Sequence, residues 1–443
     1  MLKTFKLGGV HPPDNKLSAD KTIEDLPLPK SVFIPVAQHI GAPATPVVKR
    51  GDEVKVGQLI AKSSSFVSTN IHSSVSGKVK KVDYSADSSG YPKHGVLIDV
   101  DGDEWIEEID RSEEIVKEFD LEGQEIINKI QEAGIVGLGG ATFPTHVKLV
   151  PPKGMKANVL LINGVECEPY LTSDHRLMLE KADEILTGTK LLMKALNVEK
   201  AVVGIENNKP DAIQLLSKKC KEYQGISIAA LKVKYPQGGE KQLIKAVTGK
   251  EVPSGGLPIA VGAVVSNVGT AFAVYEAIQK NKPLFERVIT ITGKGVEKPS
   301  NFKVRVGTPT SALVDAAGGM PENTGKVISG GPMMGRAVPS LDIPVTKGTS
   351  GILLMKEEEA KRGDANPCIR CSRCTGVCPM GLEPYFLRIV SEKQLFDRAE
   401  ENRIMDCIEC GSCSYTCPSN LPLLDYIRFG KGKVGQIIRS RKK

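Results

Sequence analysis

Long apolar runs are missing from this sequence, and so is a leader-like beginning. Stretches such as 159–162 and 351–355 are far shorter than the roughly 20 apolar residues that a bilayer-crossing helix needs. Residues 1–10 contain lysines but no continuous apolar core and no small-residue cleavage site, which argues against a secretory signal. We therefore expect a soluble chain of the cytoplasm.

Cysteine is scarce outside one part of the chain. Of the ten cysteines, eight lie within residues 368–417, and only Cys167 and Cys220 stand apart. A disulfide framework would be spread differently, so we expect reduced thiolates. Tryptophan occurs once, but 40% hydrophobic and 25% charged residues are ordinary for a globular protein. A length of 443 residues predicts about three domains.

The formal charge of +7 gathers partly at the C-terminus. The cations there have no acid among them and are Arg428, Lys431, Lys433, Arg439, Arg441, Lys442 and Lys443. Such a tail is most often simply solvated. The alternative is that it docks on an acidic partner or on anionic lipid headgroups.

The pattern of the N-terminal quarter predicts a small β unit. Residues 32–100 are short apolar runs broken by Gly, Pro and Ser, which is typical of short strands. The phrases at 48–61 and 72–79 resemble the two half-motifs of the lipoyl or biotinyl barrel-sandwich. In that family the hairpin between the halves presents a modified lysine, whereas the hairpin here, Ser65–Asn70, has none. We expect the scaffold over residues 1–105 without its prosthetic group.

The middle of the chain changes to alternating strands and helices, which predicts a parallel sheet covered by helices over 106–280. The expected strands are 159–165, 201–206 and 226–233, and the expected helices are 121–133, 181–196, 210–220 and 239–247. Short strands then return, with a helix at 308–319, and favour a β-grasp module of the soluble ligand-binding type over 281–345. The fold class is therefore multidomain α/β.

The C-terminal part contains an internal repeat. Both runs have the spacing C-x2-C-x2-C-x3-C-P, and their cysteines are Cys368, Cys371, Cys374, Cys378 and Cys407, Cys410, Cys413, Cys417. Three thiolates at two-residue gaps can hold three corners of an iron-sulfur cube, while the fourth, set back and followed by Pro, reaches the neighbouring cluster. We predict two [4Fe-4S] clusters, one held by Cys368, Cys371, Cys374 and Cys417, the other by Cys407, Cys410, Cys413 and Cys378.

A pair of zinc sites is the alternative, because CxxC pairs often bind zinc. Zinc gains nothing from a third CxxC step or from the CP ending of both runs, so iron is favoured. Leu382, Tyr385, Phe386 and Ile389 recur at helical spacing between the runs. We expect a helical ferredoxin over 346–430, followed by the basic tail at 431–443.

A glycine-rich loop, residues 134–148, lies between an expected helix and an expected strand. Gly137, Gly139 and Gly140 allow the backbone to approach a phosphate, and Lys148 adds a cation. A loop of this kind is more often a tight turn than a cofactor cradle. It also lacks the order of the dinucleotide fingerprint.

Four segments in order resemble the FMN-bearing subunit of respiratory complex I. They are GLGGATFPTHVK at 137–148, NGVECEP at 163–169, GE at 239–240 and SNVGT at 266–270. With the β unit in front and the cysteine runs behind, essentially the whole chain resembles the RnfC family, whose members belong to the Rnf ion-translocating oxidoreductase complex. The opening TFKLGGVHPP and the phrase IPVAQHIGAPA are similar to that family too.

This resemblance implies noncovalent FMN, NAD(H) as substrate and partner subunits that are integral to the membrane or ferredoxin-like, with no nucleic acid. The chain would lie peripherally on the cytoplasmic face of the cell membrane, attached through its partners. The implied cofactor-binding residues are Gly137, Gly139, Gly140, Ala141, Phe143, Lys148, Asn163, Glu166, Glu168, Tyr235, Gly239, Glu240, Asn267 and Thr270. The glycines and Ala141 would line the flavin, Phe143 would stack near the nicotinamide, and Lys148 would neutralise phosphate.

Three positions depart from the complex I pattern. Val165, Lys241 and Gly269 stand where that subunit has acids, which puts the geometry of nicotinamide contact in question. Without the resemblance, Glu166 and Glu168 are as well explained as polar residues at a strand exit. Cys167 between them is expected to be a small buried filler and not a redox thiol.

The expected activity is two-electron hydride exchange between NADH and FMN, followed by one-electron transfer to the clusters. No catalytic residue is assigned, because cofactors carry this chemistry and the protein positions them. Two alternatives remain open. One is a soluble cobalamin reductase of the microcompartment type, and the other is a cluster relay without a nicotinamide site.

Overall fold

The computed structural model describes residues 2–87 and 89–441, which form four β-sheets with helices packed around them. No helix among these residues combines the length and the apolar composition that a membrane crossing requires. Lys442 and Lys443 of the predicted tail lie outside the described residues.

The N-terminal β unit consists of two facing sheets. The strand order is Ser31–Pro35, Pro92–Val100, Gly77–Ala86, Glu53–Val54 in one sheet and Thr45–Pro46, Leu59–Lys62, Ile71–His72 in the other. All pairings are antiparallel. Inward-pointing residues alternate along the strands, as Val32 and Ile34 do opposite Val96 and Ile98, and together they form the core.

The central unit has the parallel sheet that the sequence predicts. Its strand order is Ile226–Leu231, Ala201–Glu206, Val159–Asn163, Ala263–Asn267, and every pairing is parallel. The fourth strand, Ala263–Asn267, was not among the expected ones. The helices of this unit are Gly123–Glu132, Thr145–Lys148, Ser173–Glu180, Ala182–Leu196, Pro210–Lys219, Glu240–Thr248 and Val268–Gln279, with short 3-10 turns at Cys220–Glu222 and Pro258–Val261.

Helix boundaries in this unit follow local chemistry. Helix Ala182–Leu196 stops at Asn197, which adopts a left-handed conformation, and helix Glu240–Thr248 stops at Gly249 in the same way. Pro210 begins helix Pro210–Lys219, where its missing N–H costs nothing. The predicted helices are confirmed to within a few residues.

The remaining sheet, called the third sheet because it forms the third unit, is built mainly from residues between the central unit and the cysteine runs. Its order is Ile23–Asp25, Ser300–Arg305, Glu286–Thr292, Gly351–Lys356, Thr324–Ser329, Arg336–Ala337, and helix Thr310–Ala316 packs on it. The sheet therefore takes one strand from before the predicted span 281–345 and one from after it. Pairings between such distant segments leave no local pattern in the sequence.

The N-terminal segment does not belong to the β unit that follows it. Lys3 pairs with Leu231 at the edge of the parallel sheet, and Val10 pairs with Tyr235. The amide of Gly9 donates to the carbonyl of Val377, 2.8 Å away. Residues 2–25 thus connect the central unit, the third sheet and the first cysteine run.

The C-terminal part is helical. Its helices are Glu357–Ala360, Arg373–Gly376, Pro384–Glu392, Phe396–Glu401, Ser412–Tyr415 and Leu423–Arg441, with a 3-10 turn at Ile404–Asp406. The predicted apolar stripe is shifted in the structure. Leu387 and Val390 are buried with Leu382, whereas Tyr385 and Ile389 are more than a third exposed. Apolar residues lie on more than one face of this helix, so periodicity alone does not select the buried face.

Residues 431–441 of the predicted tail form the second half of helix Leu423–Arg441. Val434 is fully buried there. Lys431 pairs with Glu409 at 3.1 Å, and Arg441 pairs with Glu400 at 2.8 Å. Lys431 and Arg441 are therefore held by acids from elsewhere in the chain, which a count within the tail cannot reveal.

Candidate functional site

The glycine-rich loop is closed at its base and open at its tip. The amide of Gly137 donates to the carbonyl of Phe143 at 2.9 Å, and the amide of Thr145 donates to Ile135 at 3.1 Å. Gly140 has φ +119°, and a side chain there would meet nothing within 4 Å. The tip, Gly139–Ala141, is exposed. Such an open backbone surface is what a flavin or phosphate needs in order to approach closely.

The loop faces the ends of two neighbouring parallel strands. Asn163 and Asn267 end their strands in register with one another. The chain leaves strand Val159–Asn163 towards one edge of the sheet and later returns to add strand Ala263–Asn267 on its other side. Ligands of parallel α/β sheets bind at such a reversal of strand order, beyond the carboxyl ends of the strands.

Asn267 links these elements to the loop. Its Oδ1 accepts from the Gly269 amide at 2.8 Å and caps helix Val268–Gln279, while its Nδ2 donates to Asp174 Oδ2 at 2.7 Å. A side chain at Gly139 would touch Asn267 at 3.4 Å. Thr270, one turn into the helix, accepts the Leu138 amide at 2.9 Å. Several of the predicted residues thus meet at one place.

Lys148 and Glu240 are also brought together. Lys148 Nζ lies 2.7 Å from Glu240 Oε1 and 2.8 Å from the carbonyl of Val265. Gly239 precedes Glu240 and caps helix Glu240–Thr248. The side-chain amide of Asn163 donates to the carbonyl of Gly238 at 2.9 Å. The ion pair therefore joins the end of the glycine-rich loop to the rim of the sheet, and the phosphate contact of Lys148 stays a prediction.

Glu166 and Glu168 have partners within the protein. Glu166 accepts the backbone N–H groups of Asp174 at 2.7 Å and His175 at 3.2 Å, at the start of helix Ser173–Glu180. Glu168 accepts the amides of Met333 at 3.0 Å and Met334 at 2.7 Å. Burial raises the pKa of the Glu168 carboxyl to about 7. Both acids shape the backbone after the strand, and their contact with a flavin stays a prediction.

A half-buried lysine that the sequence did not single out holds this same turn. Lys16 Nζ donates to the carbonyls of Glu166, Glu168 and Leu171 at 2.6–2.9 Å. Burial lowers the pKa of its ammonium to about 8. Lys16 is some 150 residues away in sequence, so no local signal indicates it.

Tyr235 contacts the cysteine-rich part. It is 2% exposed, and its hydroxyl donates to the carbonyl of Cys410 at 2.7 Å. Gln242 donates to the carbonyl of Pro379 at 3.3 Å from the same side of the central unit. Cys167 packs beside Tyr235, and burial raises the pKa of its thiol, as expected of a filler. These residues form the contact between the predicted flavin unit and the predicted cluster unit.

The three departures from the complex I pattern are accommodated in different ways. Val165 is buried, and its carbonyl accepts Lys209 Nζ at 2.8 Å. Lys241 points along the surface towards the Pro253 carbonyl, 3.5 Å away. A side chain at Gly269 would lie 3.8 Å from Asp174 Oδ1. Asp174 therefore places a carboxylate beside the position that lacks one.

Asp174 was missed by sequence reasoning. Burial, and then the neighbouring Glu166, raise the pKa of its carboxyl above the ordinary value. It reaches Asn267 across 93 residues of chain, and nothing in its own surroundings in the sequence marks it.

The cysteines predicted for the second cluster line one cavity. Its lining includes Cys378 from the first run and Cys407, Cys410 and Cys413 from the second. Apolar residues such as Leu382 and Ile427 complete its walls. A cavity with four thiols at its walls and apolar surroundings fits the donor set and low solvent exposure of a [4Fe-4S] cluster.

The cysteines predicted for the first cluster are more open. Cys368 and Cys371 are exposed, and Cys374 and Cys417 are half-buried. Burial raises the pKa of the Cys374 thiol, and the neighbouring Cys417 adds a minor influence in the same direction. Across residues 2–87 and 89–441, no three His, Cys, Asp or Glu side chains converge as they would on a single metal ion.

Family models match four successive parts of the chain. They are described as the RnfC barrel sandwich hybrid domain over residues 3–103, the Nuo51 FMN-binding domain over 130–276, the SLBB domain over 288–337 and a 4Fe-4S dicluster domain over 360–418. The chain is therefore multidomain α/β, with an FMN-binding domain and a dicluster domain. The exact boundaries 1–105, 106–280, 281–345, 346–430 and 431–443 stay a prediction.

Curated relatives cover nearly the whole chain. The C subunit of the proton-translocating ferredoxin:NAD(+) oxidoreductase complex of Clostridium ljungdahlii is 52% identical over 98% of this chain and 94% of the relative. The C subunit of the Na(+)-translocating complex of Acetobacterium woodii is 46% identical over 99% and 98%. Among solved structures, a chain of an NAD+-reducing [NiFe]-hydrogenase has a TM-score of 0.47 at 19% identity, over 70% of this chain and 61% of that one. Given such identity to full-length relatives, the chain belongs to the RnfC family of the ion-translocating oxidoreductase complexes.

Proposed function

We propose that this chain exchanges electrons between NAD(H), a noncovalently bound FMN and two [4Fe-4S] clusters, as a subunit of a membrane-bound ferredoxin:NAD oxidoreductase that moves Na+ or H+. The observation that carries the proposal is a contact. The cavity lined by four cysteines lies directly against the FMN-binding domain, with Tyr235 hydrogen-bonded to Cys410. Electrons passing between the two domains would cross there.

The residues of the site have separate tasks. Gly137, Gly139 and Gly140 would let the backbone approach the flavin, and Asn163 and Asn267 would fix the rim beyond the strands. Bound FMN supplies the conversion between two-electron and one-electron transfer. The protein's contribution is to orient the flavin and to exclude water around the buried cysteines.

Further residues would complete the pocket. Lys148 would neutralise the phosphate, Glu240 would hydrogen-bond the flavin or the nicotinamide, and Phe143 would stack near the nicotinamide. Asp174 would supply the carboxylate that Gly269 lacks. The cysteine sets stay as the spacing indicates: Cys368, Cys371, Cys374 and Cys417 for one cluster, Cys407, Cys410, Cys413 and Cys378 for the other.

The same hypothesis includes a finer architecture for each unit. The first unit is an unmodified barrel-sandwich, the sheet that includes Glu286–Thr292 is a β-grasp, and the C-terminal part is a helical ferredoxin. The chain would lie at the cytoplasmic face of the cell membrane, held by integral and ferredoxin-like partner subunits. The ion-moving step would belong to those partners.

The decisive experiment combines composition with reactivity. The chain, purified without oxygen, should contain about eight iron atoms and eight sulfides with one released FMN. NADH should then bleach the flavin and reduce the clusters. Iron and flavin without any reaction with NADH would instead indicate a relay lacking a nicotinamide site, which the absence of acids at Val165, Lys241 and Gly269 favours. Zinc in place of iron, with no flavin, would overturn the proposal.

Membrane association separates the family role from the remaining alternative. The chain should sediment with membranes that contain its partner subunits and should be released by disrupting that complex. Copurification with a corrinoid enzyme or a compartment shell would support the cobalamin reductase instead.

A further inference from the structure

We propose that two buried cations, Lys347 and Arg287, are positioning residues that hold the glycine-rich loop and supply the positive potential favouring an anionic flavin in it. This inference rests on the proposed function, because it assigns a role towards the FMN of that site. Neither residue stands in a segment that resembles the flavin site, and both come from the part of the chain around the third sheet.

Lys347 fastens the beginning of the loop. Its side chain is 1% exposed, and its Nζ donates to the carbonyl of Gly134 at 2.7 Å and to that of Asn70 at 3.0 Å. Its own amide donates to Gln38 at 2.9 Å. Gly134 opens the loop, and Asn70 belongs to the hairpin of the N-terminal β unit. One ammonium therefore joins the loop to that unit.

Arg287 fastens the middle of the loop. It lies in strand Glu286–Thr292 and is 7% exposed. Its Nη1 donates to the carbonyl of Leu138 at 3.3 Å and to that of Lys347 at 2.8 Å. The two cations are thus linked. The Arg287 side chain hydrogen-bonds the backbone carbonyl of Lys347, and the Lys347 side chain hydrogen-bonds the carbonyl of Gly134.

The partners of both cations are neutral groups. Within the part of the chain that the structure describes, every hydrogen bond of the two side chains goes to a backbone carbonyl. Burial lowers the pKa of Lys347 to about 7, and it lowers that of Arg287 to about 10 against the opposing influence of Asp174. A buried charge without a paired carboxylate is costly. Charges retained in this way are characteristic of functional sites.

The hairpin of the N-terminal β unit is fixed by the same arrangement. His146 Nε2 lies 3.0 Å from the carbonyl of Phe66, His39 Nε2 accepts the Thr69 amide at 3.3 Å, and the Asn70 side chain donates to Glu132 at 3.1 Å. The segment that carries a modified lysine in lipoyl-type domains is here a hydrogen-bonded support for the loop.

An anion at the loop would balance these charges. The FMN phosphate carries negative charge, and charge near the N1–N5 side of the ring tunes the flavin's electronics. The backbone carbonyls of the loop hold the two cations on the side away from the ligand. The loop amides and the two buried positive charges would therefore both attract an anion bound at the loop. Removing a cation should therefore weaken FMN binding and lower the midpoint potential of the bound flavin.

The test uses the anaerobically purified full chain with charge-removing and charge-keeping variants. Lys347→Met and Arg287→Met should each lose about tenfold in FMN affinity, the effect expected for one charge-assisted contact, and should shift the flavin midpoint to lower potential. Arg287→Lys keeps the charge but cannot span both carbonyls. It should therefore lose FMN affinity while keeping a near wild-type midpoint.

Lys280→Met is the matched control. Lys280 is also 7% exposed, but it is paired with Asp110 at 2.7 Å and hydrogen-bonds neither the loop nor its supports. It should leave both flavin properties unchanged. Iron content reports folding in every variant, and if Lys347→Met fails to fold, the two Arg287 variants carry the test. Wild-type flavin affinity and potential in folded Arg287→Met, or an equal shift in Lys280→Met, would overturn the inference, whereas a wild-type chain that binds no FMN would overturn the proposed function itself.

Discussion

The two cysteine runs have identical spacing and very different surroundings. In the first run Cys368 and Cys371 are exposed, and Ile369 between them is 68% exposed. In the second run Cys410 and Cys413 are buried. The spacing indicates which thiols could share a cluster, but it does not determine how exposed that cluster would be.

The difference comes from what each run packs against. The second run lies on the central unit through Tyr235, and a side chain at Gly411 would come within 2.7 Å of the Met333 carbonyl. Ser254 and Gly255 of the central unit hydrogen-bond the Asp406 carboxylate just before that run. The first run contributes only its last cysteine, Cys378, to the buried cavity. The repeat thus provides an inner site beside the flavin domain and an outer site open to a partner.

Cysteine replacement should separate the inner site from the outer one, and it is the largest effect that we expect. Cys413→Ser should remove the inner cluster, since even changes around a ligand cost about 10–100-fold in metal affinity or activity. With no inner cluster beside the flavin domain, NADH-driven reduction of the remaining cluster should slow by more than about 100-fold. Cys371→Ser should remove the outer cluster while NADH still reduces the inner one at a near wild-type rate. Stopped-flow absorbance and paramagnetic resonance distinguish the two.

Cys220→Ser is the control for these variants, because Cys220 is half-buried against the core of the central unit and belongs to neither cysteine run. It should keep all its iron. Equal loss of both clusters in Cys371→Ser would contradict the distinction between inner and outer sites.

Iron removal should follow the same order. A chelator with a mild oxidant should extract about half of the iron quickly and the rest slowly, because each cluster holds half of it and only one has exposed ligands. Flavin reduction by NADH should survive the fast phase. A single phase of iron loss would show that the burial of Cys410 and Cys413 does not protect the inner site.

The features that the sequence predicted are those with a local pattern. Three of the four parallel strands of the central unit and four of its helices follow from periodicity. The cysteine spacing brings Cys378 to the second run, and this residue lines one cavity with Cys407, Cys410 and Cys413. Contacts between distant segments have no such pattern. Strand Ile23–Asp25 pairs with residues near 301, Asp174 meets Asn267, and Lys347 holds Gly134. The contrast between the inner and outer runs is of this second kind, because it depends on contacts with residues outside both repeats, such as Tyr235 and Ser254.

Tyr235→Phe should affect the inner site alone, and its effect should be smaller than that of a cysteine replacement. Losing the hydroxyl leaves the Cys410 carbonyl without its buried donor, which should cost about 1–2 kcal/mol of stability at this contact. It should also shift the inner cluster's potential and leave the outer cluster's unchanged. Denaturant unfolding and a redox titration give the two readouts.

Tyr385→Phe is the matched control beside the first run, because Tyr385 is 36% exposed. Loss of the Tyr385 hydroxyl should leave the free energy of unfolding and both cluster potentials nearly unchanged. A shift of the outer potential in Tyr235→Phe would mean that the hydroxyl acts on the whole C-terminal part and not on the inner site.

The smallest effect should come from the charges around the second run. Lys431 donates to the Cys407 carbonyl at 2.6 Å and pairs with Glu409, which also pairs with Arg428, both at 3.1 Å. Lys431→Met should cost less than about 1 kcal/mol, because these groups are about a quarter exposed and such pairs are weak. The cost should shrink in high salt as the pair is screened. Arg373→Met in the exposed first run should cost nothing measurable, and a cost equal to that of Lys431→Met would show that the helix at 423–441 does not hold the second run through this cation.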